Sequence, residues 1–597
     1  MAKPTVTAYL EAARGLRDGR YDLGPQRAVR LAIARTFTVE LLLPYLTVEC
    51  ALAGVQIQTH LGDFGAYRQE LLDPQSALYA FGPDVVLLAI AAEDVVPTLT
   101  HDFLRRTPAD IASARDEAVA DLKALAEAFR ARSSATLVLH TLPPPTYPAA
   151  GAADRMLRPG QRETFELLNQ GISRICDEVR GVEVFDLAAH VAGVGQLGWE
   201  DPRFNLLVRA PFAARHLPGL ARAYARLLAL TVGIRRKCVV VDLDNTLWGG
   251  VVGEDGWEGI RLGAEYPGAA FVAFQRALLD LQQRGVLIAV ASKNEEADAR
   301  RVFEQRREML IKREHVASWR VDWRDKATNL SEIADELGLG LDALVFIDDD
   351  PTERALVARM LPEVLVPDWP AEPADYVAAL HAIPTLDSLR LTGEDRARSD
   401  LYLAEARRKE QRSGARSIEE FLHSLELRAT ITRVGPATVA RAAQLTQKTN
   451  QFNLTLRRYT DSEIATLAAS PDHDVYLLSL RDRFGDAGRV AVCIVTYAGD
   501  VARIEGLLMS CRVLGRGVET FLLAHLAGEA RARGATWLEG SYTPGPRNGQ
   551  VADLYPRHGF VPSASSLNLW SLDLRSDGPL YPLWITPEET EGVVLPA

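Results

Sequence analysis

Short apolar runs and longer amphipathic stretches alternate along most of the chain, the pattern of α/β architecture. In the first segment, about 1–230, DVVLLAI (Asp84–Ile90) and ATLVLH (Ala135–His140) read as buried strands, and GLARAYARLLALTVG (Gly219–Gly233) as an amphipathic helix. In the second, about 231–390, KCVVVDLD (Lys237–Asp244), VLIAVAS (Val286–Ser292) and ALVFIDDD (Ala343–Asp350) read as strands. They are separated by the helical AFVAFQRALLDLQQRG (Ala270–Gly285), a charged helix and NLSEIADELGL (Asn329–Leu339), a βαβ series that predicts a parallel sheet. RARSDLYLAEARRKEQRSGARSIEEFLHSL, within 391–425, reads as a charged helical linker. The third segment, about 426–597, packs VYLLSLRDR and RVAVCIVTYAGDVARIEGLLMS close together before the helix VETFLLAHLAGEARARG, which predicts an α+β sheet domain.

Length changes little in this picture: 597 residues suit three or four domains. A hydrophobic share of 47% and a charged share of 24% are ordinary for a globular protein. The net charge of −12 argues against nucleic-acid binding, which needs clustered Lys and Arg. No apolar run is long enough for a membrane span, and the first residues lack a signal-peptide core, so a cytoplasmic protein that engages no membrane is expected. The cysteines, at 50, 176, 238, 493 and 511, form no CxxC pair and suggest neither a zinc cluster nor a disulfide framework.

Candidate chemistry concentrates at strand ends in the second segment. The run Val239–Val241 leads into Asp242, Asp244 and Thr246, and VLIAVAS ends in Ser292 followed by Lys293. Lys326 stands before a helix, and ALVFI ends in Asp348 and Asp349. Carboxylates at the carboxyl ends of parallel strands face the ligand crevice of an open sheet, and alternation puts Asp242 and Asp244 on one face. Such a set suits magnesium-dependent phosphoryl transfer, where positioning and charge neutralisation do most of the catalysis. Asp242 is the expected nucleophile and metal ligand, and Asp244 the expected proton donor and a further ligand. Thr246, Ser292, Lys293 and Lys326 are the expected phosphate-binding set, and Asp348 and Asp349 complete the Mg2+ site. Single aspartates at strand ends also occur as simple turn formers, but four ordered motifs weigh against that.

DLDNTL, Ser292, Lys326 and Asp348–Asp349 resemble the four motifs of haloacid dehalogenase (HAD) proteins. WGGVVGEDGWEGIRLG, ASKNEE, DWRDKATNLSEIADELGLG and FIDDDPTER narrow the resemblance to the FkbH-like subgroup, with Asp350 where Asn is expected in much of it. LTQKTNQFNLTLRRYT, DRFGDAG and MSCRVLGRGVE extend the resemblance into the third segment. The last of these also looks like the pyrophosphate loop of GNAT acyltransferases, which makes Arg512, Gly515, Arg516 and Gly517 the expected pantetheine or coenzyme A loop. Cys511 lies beside Arg512 at a strand-to-helix junction, a setting that favours thiolate, although buried structural cysteines are common. Cys493 and Cys238, inside apolar strands, read as core.

The resemblance implies a Mg2+-dependent phosphatase joined to an acyltransferase. Such proteins are implicated in moving a three-carbon unit from 1,3-bisphosphoglycerate to the phosphopantetheine arm of an acyl carrier protein, in polyketide-type metabolism. Cys511 would then carry a glyceryl thioester. A phosphatase fused to a coenzyme A-dependent N- or O-acyltransferase, and a non-catalytic scaffold, are the competing readings. The first segment resembles the SGNH-hydrolase-like part of FkbH-like proteins. Thr36 stands at the expected nucleophile position and Ala213, not Asp, lies three residues before His216, so a degenerate domain is expected.

Overall fold

The structure, a computed structural model, describes residues 5–21, 23, 26–391, 404, 408, 411–412, 416–448, 452–510, 513–545, 548–563, 568–576 and 578–588. Among these, strands gather into three sheets. The linker expected at 391–425 lies largely outside the described residues, and Ile418–Ser424 within it is helical. Two compact units emerge, Met1–Val239 with Gly340–Leu391, and Val240–Leu339 with Thr392–Ala597.

The first sheet holds β1 (Arg27–Arg35), β2 (Val55–Leu61), β3 (Val85–Ala89), β4 (Thr136–His140) and β5 (Val182–Phe185) in the order β2-β1-β3-β4-β5, each pair parallel. Burial on both faces explains the unbroken apolar runs. Leu31, Ile33, Val85 and Leu87 face a core that includes helix Leu217–Thr231, whereas Ala32, Ala34, Val86 and Leu88 face the one under helix Pro108–Arg130. Residues from Gly340 to Leu391 belong to the same unit, where Arg390 donates to Glu183 and to the Val182 carbonyl on β5.

The second sheet has the order β8-β7-β6-β9, from β6 (Cys238–Val241), β7 (Leu287–Ser292), β8 (Val316–Val321) and β9 (Leu344–Ile347). Strands β7 and β8 run parallel. Every residue of β6, β7 and β9 is buried, so polar side chains wait for the strand ends.

The third sheet contains β10 (Leu427–Arg433), β11 (Phe452–Asn453), β12 (His473–Asp482), β13 (Gly485–Ala498), β14 (Val501–Met509), β15 (Trp537–Ser541), β16 (Val561–Pro562), β17 (Leu569–Asp573) and β18 (Ile585–Pro587). It is mixed: β12, β13 and β14 are antiparallel, while β14 and β15 are parallel. Helix Val518–Ala532 covers one face, and helices Val439–Lys448 and Asp461–Ala469 cover the other. The β14–β15 ladder runs only from Val501 to Ile504, and farther along β14 is paired by β11 at Leu508 and Met509, so β14 and β15 diverge. The α/β expectation holds: the chain is a multidomain α/β protein with parallel sheets and one mixed sheet.

Candidate active site

β6 ends at Val241, and the chain then turns sharply. Leu243 carbonyl accepts from Thr246 N and Leu247 N, and Asn245 takes the left-handed region at φ 52°. An asparagine tolerates that conformation, and here its Oδ1 also accepts the Gly250 amide at 2.9 Å. Gly250 itself stands at φ 95°, where a side chain would be strained and would strike Asp255. Asp244 thus owes its place to a turn and not to strand alternation, which corrects the geometric reason given for its pairing with Asp242.

Asp242 is buried, and its Oδ1 lies 2.8 Å from Lys326 Nζ, with the two side chains 8% and 5% exposed. Asp242 Oδ1 accepts no hydrogen bond among the described residues, so the contact is one of charge. Lys326 is the first residue of helix Lys326–Leu337, capped by Asp325, whose side chain accepts the Thr328 amide at 2.8 Å. Lys293 is half-buried, and its charge helps to hold the Asp325 carboxyl below the usual range, after the hydrogen bonds from Thr328.

Carboxylate oxygens of Asp242, Asp348 and Asp349 lie within 4.8 Å of one another at the ends of β6 and β9. Asp348 is buried and accepts the Asp350 amide at 2.9 Å, while Asp349 is half-buried. Arg354 grips the backbone carbonyls of both at 2.7 Å, which fixes the turn that presents them. Three close carboxylates, one with an unbonded buried oxygen, form a donor set that fits a hard divalent cation.

Asp244, expected among the ligands, stands outside that cluster. Its Oδ1 accepts from Trp248 Nε1 at 2.8 Å and Val252 N at 3.1 Å, and its Oδ2 accepts from Asn294 Nδ2 at 3.0 Å. Burial raises its pKa above the ordinary carboxylate value, aided by the Asp242 charge and opposed by these donors. Asn294 also donates to Ser292 Oγ at 3.2 Å, so one amide ties the β7 end to Asp244. Thr246 is fully buried with no hydrogen bond to Oγ1 among the described residues. Sequence reasoning missed Trp248 and Asn294 as orienting residues, although both stand in the runs WGGVV and ASKNEE.

In the third segment, Cys511 and Arg512 lie outside the described residues. Gly515 and Gly517 hold φ 73° and 80°, and Gly517 caps helix Val518–Ala532. Arg516 stands between these two glycines. Its guanidinium is buried 3.6 Å from Asp482, and its carbonyl accepts from Trp584 Nε1 at 2.9 Å. Cys238 and Cys493 are fully buried, and burial pushes both thiols well up. In the first segment Thr36 follows β1, is buried, and its Oγ1 accepts the Ala91 amide at 2.9 Å, whereas His216 Nε2 faces the Gly198 carbonyl at 2.8 Å. No described helix is long and apolar enough to cross a membrane.

The chain is similar to a crystal structure of the N-terminal part of a Bacteroides fragilis protein that contains a phosphatase domain, in complex with Mg. The two share 26% identity and superpose with a TM-score of 0.57 over 64% of this chain and 99% of that one. The ribosomal-protein-S18-alanine N-acetyltransferase from Escherichia coli aligns over 28% of this chain and 99% of its own, at 16% identity and a TM-score of 0.20, too slight a likeness to bear on function. No protein-family model and no curated protein matches the chain.

Proposed function

We propose that the chain is a magnesium-dependent phosphatase joined to an acyltransferase that delivers a glyceryl unit from 1,3-bisphosphoglycerate to an acyl carrier protein. The observation that carries the phosphatase half is the Asp242, Asp348 and Asp349 cluster with Lys326 at 2.8 Å from Asp242. The likeness to a phosphatase domain complexed with Mg supports it.

In this reading Asp242, Asp348 and Asp349 hold Mg2+, which when bound supplies positive charge to the phosphoryl oxygens. Asp242 attacks phosphorus and forms an aspartyl-phosphate as the ester P–O bond breaks. Asp244, kept protonated to higher pH by burial, gives its proton to the leaving oxygen. It then takes a proton from the water that releases phosphate and restores Asp242. Lys326, Ser292 and Thr246 neutralise or hold the transferring oxygens, and Trp248 and Asn294 keep Asp244 aimed. The transfer half rests on the FkbH-like sequence motifs around Cys511. Its thiolate would attack the acyl phosphate, expel phosphate, and pass the acyl group to a pantetheine thiol.

Incubation with magnesium, 1,3-bisphosphoglycerate and holo-carrier protein, followed by intact mass measurement, tests this. A glyceryl mass gain on the carrier is expected, with the phosphorylated form in Asp242→Asn and no gain in Cys511→Ala. Absence of any gain across carriers of its own pathway refutes the transfer. Full transfer by Cys511→Ala from an acyl-coenzyme A favours the direct acyltransferase instead.

A further inference from the structure

The run DRFGDAG, Asp482–Gly488, joins β12 to β13, and the phosphatase chemistry makes no use of it. The Asp482 side chain is buried and receives Arg408 at 2.6 Å and 3.0 Å, plus the amides of Phe484 and Gly485, with Arg516 at 3.6 Å. A carboxylate held by this many donors fixes the hairpin rigidly. The hairpin walls a groove of about 650 Å³ under the first turns of helix Val439–Lys448.

The β12–β13 register explains why this groove is polar. Along β12, Val475 and Leu477 face the helix and pack with Ala442 and Ala443. The next residue of that parity is Ser479. A register shift between Leu478 and Ser479 sets Ser479 opposite Arg489, leaves Val490 to the other core, and so keeps Arg489 on the helix side. From above, Arg441 and Gln444 of the helix line the same space, with Ala440 small enough to leave it open. Asp486 also lines it, but its Oδ1 is turned to the Gly488 amide at 2.7 Å. Two arginines, an amide and a hydroxyl therefore line a pocket of net positive charge in a chain of net charge −12, and Arg441 Nη1 donates to Gln444 Oε1, which ties two of these side chains together. Ser510 N donates to the Val490 carbonyl at 2.8 Å, which places the end of β14 beside Arg489 along the chain.

We infer that this groove is an anion subsite for the terminal phosphate monoester of a small phosphorylated acyl substrate, with Arg489 and Arg441 as its cations and Ser479 and Gln444 as neutral donors. Guanidinium forks match phosphate oxygens, and the volume admits a three-carbon chain. The groove would hold the phosphate end while the acyl end reacts. The assignment to an acyl substrate rests on the transfer reading above; the anion site itself does not.

The test is calorimetric titration of the full chain, carrying Asp242→Asn so that the ester is not hydrolysed, with 3-phosphoglycerate in the presence of magnesium. Two classes of site are expected, one at the aspartates and one in the groove. Arg489→Ala should weaken only the second by about tenfold, Arg489→Lys should restore part of it, and Ser479→Asp should abolish it. Identical isotherms for the parent, Arg489→Ala and Ser479→Asp overturn the subsite, whatever the carrier assay gives. Groove binding of pantetheine 4′-phosphate in place of 3-phosphoglycerate also overturns it. Loss of 3-phosphoglycerate binding in Arg489→Ala, in a chain that acylates no carrier, upholds the subsite and refutes the transfer reading alone.

Discussion

Replacing Asp349 with asparagine should make the metal-free protein more stable and the magnesium-loaded protein less stable than the parent. The three carboxylates offer oxygens within 4.8 Å of one another. At that separation and an effective dielectric near 20, each charged pair repels by about 3.5 kcal/mol. Lys326 offsets part of this at Asp242, 2.8 Å away. Asp349 is half-buried, so solvent reduces what its neutralisation gains to about 1–2 kcal/mol. With a cation present the balance inverts. At a hundredfold excess over Kd, binding adds about 2.7 kcal/mol, a rise of about 5–10 °C for the domain that holds it. Asp349→Asn forfeits most of that rise. Differential scanning calorimetry reads both effects in the one transition that responds to magnesium: the variant should melt above the parent in EDTA and below it in magnesium. A variant that melts lower in EDTA and retains the full magnesium shift would refute the reasoning, because the triad would then be neither repulsive nor a ligand set.

Lys326→Met removes the charge that faces a buried carboxylate, so it should destabilise by about 3–5 kcal/mol in denaturant titration and cut phosphatase turnover at least ~100-fold. For Asp244 the sign follows from its raised pKa. The folded chain holds this proton to higher pH than the unfolded chain does, so its contribution to stability is complete below the unfolded pKa and is lost as pH rises through the folded one. Asp244→Asn should flatten that part of the stability-against-pH curve and abolish turnover, and an unchanged slope would contradict the burial argument. Gly517→Ala places a Cβ at φ 80°, 3.2 Å from Trp584, and should cost more than about 1 kcal/mol in thermal unfolding. Carrier acylation should fall in that variant while phosphate release from a simple ester persists.

In the second sheet, the strands that the sequence announces are those whose every residue is buried: Val239–Val241, Leu287–Ala291 and Leu344–Ile347. β8, at the sheet edge, is nearly as buried yet reads as VASWRV. Its polar positions are satisfied by one helix, through Ser318 to Glu336 at 2.6 Å and Arg320 to Glu332 at 3.1 Å. An apolar-run criterion cannot see a strand whose polar side chains find partners only after folding. The same limit applies to the grouping of Gly340–Leu391 with the first sheet's unit, where Arg390 reaches Glu183 across 207 positions.

The candidate site was legible as a set of residue types at strand ends, and less so as geometry. Parity placed Asp242 and Asp244 on one strand face, but β6 stops at Val241 and the second aspartate is carried by a turn that needs Asn245 at φ 52°. The consequence is chemical. A strand would aim both carboxylates at one cation, whereas the turn withdraws Asp244 from the Asp242, Asp348 and Asp349 cluster and encloses it between Trp248, Val252 and Asn294. Burial there raises its pKa, while the Lys326 charge faces Asp242 instead. Two aspartates two residues apart thus receive different environments, one faced by a buried ammonium and one disposed by burial to carry a proton. That division is what a nucleophile and its acid–base partner require, and the turn, more than the spacing, produces it.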